Sequence, residues 1–501
     1  MQGFTYIDLI ILVVYLAAVL FAGLYFAKKE MKGKEYFKGD GTVPWWVTSV
    51  SIFATLLSPI SFLSLAGNSY AGTWIMWFAQ LGMLLAIPLT IKFFLPVYSK
   101  LDIDTAYHYL ELRFGSKGLR VLGAVMFIIY QIGRMSIIMY LPCMVLGSLT
   151  GISVNLLIII MGVIAIIYSY TGGLKSVLWT DFIQGSVLLI GVTFALVFLI
   201  AHIDGGMGAI FQAFSLEHKF LAVDQPIFNP NIFKDSVFIL IVGAGFNTMG
   251  SYVSSQDIVQ RFTTTTDTKK LNKMMLTNGA LSIFIATAFY LIGTGLFVFY
   301  KQNALPPAAA QDQIFASYIA FELPVGVTGL LLAAIYAAAQ STLSTGLNSV
   351  ASSWELDIQS NLSKEELGFE KETKIGQRVS LAVGIFSIVV AMVLANGGVK
   401  SAYEWFNGFM GLVLGILIGT FILGAFTKVA NTFGATAAFI AASAVMVYIK
   451  YFVPAGQVTI WSYSIISIAV SLVVGIPASI IWRSIKGDKS EPAPNTTIYK
   501  N

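Results

Sequence analysis

Two ionisable residues lie deep inside stretches that are otherwise apolar, and their types determine what they can bind. Arg134 lies in YQIGRMSIIMYLPCMVLG (130–147), and Asp181 lies in GGLKSVLWTDFIQGSVLLIG (172–191). A guanidinium offers a forked set of donors that matches a carboxylate. A lone aspartate offers oxygen ligands that suit a cation. Because a charge inside a membrane is costly and is usually functional, both residues are candidate binding groups.

A direct ion pair between Arg134 and Asp181 is the structural alternative. Arg134 lies fourteen residues into its apolar run and Asp181 about seven residues into another, both entered from the same side. At about 1.5 Å per residue, their levels differ by roughly 10 Å in upright helices. Snorkelling of the long arginine side chain closes only part of this gap. We therefore expect each charge to face its own partner.

A stripe of hydroxyl and amide groups follows one face of the segment YAAAQSTLSTGLNSVASS (336–353). Its members recur at i, i+3, i+4, i+7 and i+11, which places them on one side of a helix. They are Ser341, Ser344, Thr345, Asn348 and Ser352. Hydroxyl groups of this kind commonly hold membrane helices together. They also suit a weakly bound hard cation, with Asp181 as a candidate charged neighbour.

Two apolar segments contain residues that interrupt a helix. In the segment 49–72, Pro59 removes an amide donor and opposes the carbonyl four residues earlier, near Thr55. In the segment 241–255, Asn247 and three glycines make a continuous helix unfavourable. The glycines are Gly243, Gly245 and Gly250. Interrupted segments at matching positions of two halves predict an inverted repeat with a binding site near the membrane midplane.

The composition is that of a polytopic helical membrane protein. Of 501 residues, 57% are hydrophobic and 11% are charged, and apolar runs of about 20 residues recur along the chain. Lipid excludes unpaired backbone groups, and the runs lack the alternation of barrel strands. Thirteen spans are predicted. They lie at 7–27, 45–71, 74–98, 120–149, 154–171, 174–202, 235–258, 274–300, 326–356, 374–396, 403–427, 431–453 and 459–482.

Lysine and arginine residues indicate how the chain is oriented. With this segmentation, 23 of the 30 basic residues, including Arg261 and the lysines of KKEMKGKEYFKGDGTV (28–43), lie on one side of the membrane. Five lie on the other side, and only Lys92 and Arg134 remain. Since basic residues stay cytoplasmic, we expect the N-terminus outside, the C-terminus in the cytoplasm and the protein in the plasma membrane, the inner membrane of a bacterial cell.

Several function classes are excluded by what the sequence lacks. The formal net charge of +5 reflects topology, so no nucleic-acid partner is expected. A lone cysteine, Cys143, allows no internal disulfide, and three histidines have no metal-ligand spacing. No nucleophile–base pair is evident, and the segment after the last span is too short for a catalytic domain, so we expect no enzyme. No obligate protein partner is evident, and we expect the lipid bilayer to surround the protein.

The broken second span, YTGGLKSVLWTDFIQG and AAAQSTLSTGLNSVASS together resemble the sodium/solute symporter family. The pattern GRMSIIMYL around Arg134 is most similar to bacterial sodium-coupled sialic acid symporters. The resemblance covers essentially the whole chain. It implies an all-α LeuT-type fold, a 5+5 inverted repeat with one extra N-terminal and two extra C-terminal helices.

The resemblance also divides the chain. An extra helix and cytoplasmic loop (1–44) precede a first repeat (45–202), an extracellular loop (203–234) and a second repeat (235–428). Two extra helices (429–483) and a cytoplasmic tail (484–501) follow.

The resemblance implies a set of site residues by position. The first sodium ion would bind the backbone oxygens of Ala54, Leu57 and Ala338 and the hydroxyls of Ser341 and Thr342. A second sodium ion would bind Asp181, Ser341, Ser344 and Thr345. The substrate carboxylate would meet Arg134, which would stay unpaired until the substrate arrives. The rest of the sugar acid would face Ser58, Ser61, Gln80 and Asn247. Pro59 stands where relatives can have a hydroxyl residue, so contacts at the break can differ.

The implied function is sodium-coupled symport of a sialic acid, an anionic sugar such as N-acetylneuraminate, into the cell by alternating access with one or two sodium ions. Other carboxylates or sugars remain alternatives as the solute, and Arg134 favours a carboxylate. A proton-coupled carrier with Asp181 as the proton carrier is a second alternative. A membrane sensor that depends on a partner protein is an alternative from a different class.

Overall fold

The computed structural model describes residues 5–27, 37, 41–101, 103–265, 267–303, 311–363, 368–397, 402–454, 456–487 and 491–499. Most of the predicted lysine-rich segment 28–43 lies outside this described part. Within these ranges, the first nine helices are α1 (Tyr6–Ala27), α2 (Trp45–Leu56), α3 (Pro59–Ala71), α4 (Ala79–Leu89), α5 (Leu95–Leu101), α6 (His108–Phe114), α7 (Lys117–Thr150), α8 (Val154–Ala201) and α9 (Gly206–Leu216). A π-helical turn, Thr90–Phe94, joins α4 to α5.

Ten further helices form the second part of the chain. They are α10 (Val237–Ser254), α11 (Gln256–Phe262), α12 (Thr268–Gln302), α13 (Ile314–Phe321), α14 (Val327–Ser353), α15 (Ser360–Leu362), α16 (Phe369–Asn396), α17 (Ala402–Phe426), α18 (Thr432–Phe452) and α19 (Tyr463–Lys486). A second π-helical turn, Trp354–Gln359, follows α14. Short 3-10 turns occur at Ile75–Phe78, Gln311–Gln313 and Ile460–Ser462.

The second span is interrupted where the proline predicts it. α2 ends at Leu56, Leu57 and Ser58 are extended, and α3 begins at Pro59. The two helices form an angle of 61°. Proline suits the first position of a helix because no intrahelical bond needs its missing amide. The Ser58 hydroxyl then accepts a hydrogen bond from the Ser61 amide at 3.4 Å, which caps α3.

The second interruption lies later than the glycines predict. α10 runs without a break through Gly243 and ends at Ser254, and the extended Ser255 separates it from α11. The expectation that the glycines break this helix is wrong. Gly243 permits close approach instead, because a Cβ atom there would lie 2.0 Å from the Trp461 carbonyl oxygen.

Length and composition identify fewer membrane spans among the described residues than the thirteen that the sequence predicts. Among the described residues, eleven helices are long and apolar enough to cross a membrane, or twelve if the bent pair α2 and α3 is one span. The count of thirteen is not confirmed. The predicted spans 154–171 and 174–202 are two helices within α8, and they meet at a kink where Gly173 has a non-helical φ of 56°. Its first apolar part, Val154–Ile167, is a shorter helix.

Two large apolar clusters occupy opposite halves of the helix assembly. The first half of α7, up to Tyr130, belongs to one cluster, and the second half, from Met135, belongs to the other. α12 is divided in the same way, with Met275 in one cluster and Ile285 in the other. Arg134 therefore lies at the level where the two clusters meet. The break between α2 and α3 lies at the same level.

Candidate functional site

Arg134 on α7 is buried and already has an anionic partner. It is 4% exposed. Its Nη1 atom donates to Oδ2 of Asp257 on α11, and its Nη2 atom donates to the Thr55 carbonyl oxygen at 2.5 Å. Its Nε atom has no hydrogen-bond partner among the described residues. The expectation of an unpaired guanidinium is thus wrong, because Asp257, which lies 123 residues away along the chain, reaches it.

The break after α2 explains why Thr55 can accept this bond. The last carbonyl groups of a helix lack intrahelical donors and carry the negative end of the helix dipole. Thr55 lies in the last turn of α2, so its carbonyl oxygen is available. A guanidinium at this position satisfies the carbonyl and stabilises the helix end. The interruption at Pro59 and the position of Arg134 therefore belong to one arrangement.

A cavity of about 180 Å³ lies beside Arg134. Arg134 and Asp257 form part of its wall together with seven hydroxyl or amide side chains. These are Ser61, Gln80, Tyr130, Thr248, Ser251, Ser255 and Ser282. Phe406 and Met410 supply an apolar face. An apolar wall with a few convergent polar groups and one charged anchor is typical of a small-molecule site.

The structure separates the five residues predicted to contact the substrate. Arg134, Ser61 and Gln80 line the cavity. Ser58 caps α3 and is absent from the cavity lining given by the described residues. Asn247 is likewise absent from that lining, and its Oδ1 atom accepts a hydrogen bond from Ser464 on α19. The expectation that Asn247 faces the substrate therefore differs from the observed lining. Its side chain instead joins α10 to α19.

Asp181 on α8 lies against the polar face of α14. The carboxylate is fully buried. Oδ1 accepts from the Ser341 hydroxyl at 2.9 Å, and Oδ2 accepts from the Thr345 hydroxyl at 3.2 Å. The Ser51 hydroxyl also donates to Oδ2, at 2.6 Å. The predicted neighbourhood of Asp181 and the hydroxyl stripe is confirmed. Ser344 donates to the Ser341 carbonyl oxygen at 3.0 Å, so its hydroxyl lies beside the same turn.

Arg261 is a functional candidate that the sequence analysis missed. It was assigned to the cytoplasmic side, but it is fully buried on α11. Its Nη2 atom donates to Asp181 Oδ2 at 2.7 Å and to the Thr345 hydroxyl at 2.6 Å. Asp181 and Arg134 thus each have a separate partner, as the difference in their depths predicts. Opposite charges four residues apart in SSQDIVQRF were the available sequence signal for Asp257 and Arg261.

The residues expected to hold the first cation come from α2 and α14. Ala54 and Leu57 lie at the end of α2, and Ala338, Ser341 and Thr342 lie on α14, and all five are buried. The Thr342 hydroxyl donates to the Ala338 carbonyl oxygen at 3.1 Å.

The end of α2 lies against the hydroxyl stripe of α14. Thr55 Oγ1 lies 3.3 Å from Thr345 Oγ1. In the described part of the chain, no three His, Cys, Asp or Glu side chains come together as metal ligands. Hydroxyl and carbonyl oxygens with one carboxylate suit a hard cation.

A family profile described as "Sodium:solute symporter family" matches residues 36–442. The chain belongs to the sodium:solute symporter family. The match covers both helix breaks, the guanidinium anchor and the hydroxyl stripe. The family assignment made from the sequence motifs is thereby confirmed.

Curated members of this family match the symporter along nearly its whole length. The sodium/sialic acid symporter SiaT of Proteus mirabilis is 34% identical, with 99% of this chain and 100% of that protein covered. The sodium/sialic acid symporter NanT of Aliivibrio fischeri is 31% identical, with 97% of this chain and 96% of that protein covered. These relatives are transporters, which agrees with the expectation that the chain is no enzyme.

A solved structure of a Na⁺-coupled sialic acid symporter, in a substrate-bound outward-open state, has the same fold. The TM-score is 0.88 at 33% sequence identity, with 95% of this chain and 98% of that chain covered. The symporter therefore has the predicted all-α LeuT-type fold. It is a multi-pass membrane transporter.

Proposed function

We propose that this symporter carries a sialic acid, an anionic sugar such as N-acetylneuraminate, into the cell together with sodium. The observation that carries the proposal is the buried guanidinium of Arg134 on the wall of a cavity that also presents hydroxyl and amide groups. A carboxylate needs the forked donor set, and the sugar hydroxyls need the remaining polar groups. Ser61 and Gln80 face the sugar from the helix break and from α4.

Two cation sites would share the hydroxyl stripe of α14. The first uses the carbonyl oxygens of Ala54, Leu57 and Ala338 with the hydroxyls of Ser341 and Thr342. A sodium ion there joins the break after α2 to α14, so it favours the conformation in which the cavity accepts the sugar. The second site uses Asp181, Ser341, Ser344 and Thr345. The Ser341 and Thr345 hydroxyls already bind Asp181, and Ser344 donates to the Ser341 carbonyl oxygen, which supports a site for a hard monovalent ion.

The coupling between ions and sugar is a linkage effect. If sodium and the sugar stabilise the same conformation, each ligand raises the affinity of the other by one shared factor. Two sodium ions with one carboxylate also move a net positive charge inward. The membrane potential then contributes about 2.3 kcal/mol per charge per 100 mV.

The orientation that suits this function has the N-terminus outside and the C-terminus in the cytoplasm of a plasma-membrane protein. Arg261 is buried among helices, so it no longer counts as a loop residue. Removing it leaves 22 basic residues on the cytoplasmic side against five outside. The asymmetry therefore still supports the same orientation.

Uptake of radiolabelled N-acetylneuraminate into proteoliposomes that contain only this protein tests the proposal. With an inward sodium gradient at constant pH we expect accumulation above equilibrium, because downhill sodium entry drives the sugar. Replacing sodium by choline should reduce uptake to that of empty vesicles. Undiminished uptake in choline would favour the proton-coupled carrier. A requirement for a second protein would show as inactivity of the purified chain in both salts.

A further inference from the structure

Helix α11 carries two opposite charges one turn apart, and each of them is paired with a different helix. Asp257 binds Arg134 on α7, and Arg261 binds Asp181 on α8 at 2.7 Å. All four side chains are at most 5% exposed. The proposed substrate anchor and the proposed second cation site are therefore both occupied by groups of a single seven-residue helix. Both ligands have to displace a charge of α11 from its partner.

We propose that α11 exchanges its ion-pair partners when the symporter is loaded. This inference rests on the proposed function above. The sugar carboxylate takes Arg134 and releases Asp257, and sodium takes Asp181 and releases Arg261. The two released side chains then pair with each other along α11. In this scheme Asp257 and Arg261 are positioning residues, and the exchange connects the two sites.

The geometry of α11 suits this exchange. Residues at i and i+4 of a helix have Cβ atoms about 5–6 Å apart, and an acidic residue N-terminal to a basic one is the favourable order. Asp257 and Arg261 have this spacing and this order. The Nη1 atom of Arg261 already donates to the backbone carbonyl of Asp257, so the guanidinium lies along the correct side of the helix. Side-chain rotation alone brings the charges together.

The other contacts of the two residues are consistent with a carboxylate and a guanidinium that change partners. Ser255 donates its hydroxyl to Oδ1 of Asp257, which leaves Oδ2 for an exchangeable partner. Arg261 also donates through Nε to the Ser51 hydroxyl at 2.9 Å, and that hydroxyl itself donates to Asp181. Each side chain thus keeps one neutral hydrogen bond while its ionic partner is replaced.

Charge balance explains why the exchange couples the ligands. A sugar carboxylate alone would occupy Arg134 and leave Asp257 buried without a counter-ion, and sodium alone would do the same to Arg261. Stranding a buried charge is strongly unfavourable, whereas both ligands together leave every charge paired. Each ligand therefore lowers the cost of binding the other. Coupling factors of this kind are typically about 5–150-fold.

The ratio of N-acetylneuraminate affinities with saturating sodium and with choline measures this coupling. It is obtained by calorimetry on the purified protein. In the wild type we expect tighter binding in sodium, by a factor within the range above. For Asp257→Asn we expect tighter binding in choline than in the wild type, because Arg134 no longer has an internal competitor, and a ratio clearly smaller than in the wild type.

A matched control comes from a second buried aspartate that binds an arginine of α7. Asp357 Oδ1 accepts from Arg120 Nε at 2.6 Å, and the aspartate is fully buried. Asp357→Asn breaks an equivalent pair away from the cavity, so it should lower thermal stability and keep the wild-type affinity ratio. If Asp257→Asn also keeps that ratio, the exchange is refuted. If the wild type itself binds no N-acetylneuraminate or shows no sodium effect, the proposed function fails instead.

A structure of the wild-type protein with sodium and N-acetylneuraminate tests the exchange without a substitution. We expect the Asp257 carboxylate and the Arg261 guanidinium within 4 Å of each other, which is the ordinary limit of an ion pair. The sugar carboxylate should bind Arg134. Persistence of the Arg134–Asp257 and Arg261–Asp181 pairs with both ligands bound would overturn the proposal.

Discussion

Replacing Arg134 by glutamine should lower the affinity for N-acetylneuraminate by two to four orders of magnitude. A hydrogen bond to a charged group contributes about 1.5–3 kcal/mol, and a carboxylate bound by a guanidinium fork makes two. About 1.4 kcal/mol corresponds to a tenfold change in affinity. Calorimetric titration of the purified variant in saturating sodium measures the loss. The same loss should abolish uptake into proteoliposomes at micromolar sugar concentrations.

Two further variants separate recognition from folding in this test. Arg134→Gln leaves Asp257 buried without its partner, so it also lowers the melting temperature. The double variant Arg134→Gln, Asp257→Asn removes both charges and should recover stability but not affinity. Arg120 lies on α7, the helix that also carries Arg134. Arg120→Gln breaks its pair with Asp357, so this variant should lose stability and keep sugar affinity. Near wild-type affinity in Arg134→Gln would exclude this residue as the anchor.

Replacing Asp181 by asparagine should change the sodium dependence more than any other property. The carboxylate contributes the only formal negative charge among the four residues proposed for the second ion. Without it we expect the Hill coefficient for sodium to fall from near two to near one. The sodium concentration that gives half-maximal binding of N-acetylneuraminate should rise roughly tenfold or more, which corresponds to about 1.4 kcal/mol or more of lost ion binding.

Asp8, a buried aspartate of α1 that binds the beginning of α14, provides the matched control. Asp8 accepts hydrogen bonds from the amides of Gly326 and Gly329 at 2.8 Å and 2.9 Å, so Asp8→Asn perturbs the beginning of the same helix. Its sodium titration should keep the wild-type slope and midpoint. An unchanged sodium curve in Asp181→Asn would show that this carboxylate holds no coupled ion.

Features that depend on neighbouring residues in the chain could be predicted from the sequence. The break at Pro59 follows from the chemistry of proline, and the hydroxyl face of α14 follows from its helical spacing. The separate partners of Arg134 and Asp181 follow from their depths. Each of these inferences needs only local geometry and the thickness of a membrane.

Features that depend on contacts between distant segments could not be predicted in this way. The Arg134–Asp257 pair joins residues 123 positions apart, and nothing local to either residue identifies the other. The glycines of α10 were interpreted as helix breakers, but Gly243 faces the Trp461 backbone and serves close packing. Asn247 likewise binds Ser464 of a C-terminal helix, so its polarity did not indicate the cavity.

Comparison of N-acetylneuraminate with its neutral methyl ester tests most directly whether a buried guanidinium selects a carboxylate. The two sugars share every hydroxyl and the acetamido group and differ at the carboxyl group, which is a charged carboxylate in the acid and a neutral methyl ester in its derivative. Competition against radiolabelled N-acetylneuraminate, in saturating sodium, gives both affinities on the wild-type protein. We predict that the ester binds at least about 100-fold more weakly, which corresponds to about 2.8 kcal/mol. Equal affinities for acid and ester would contradict the account.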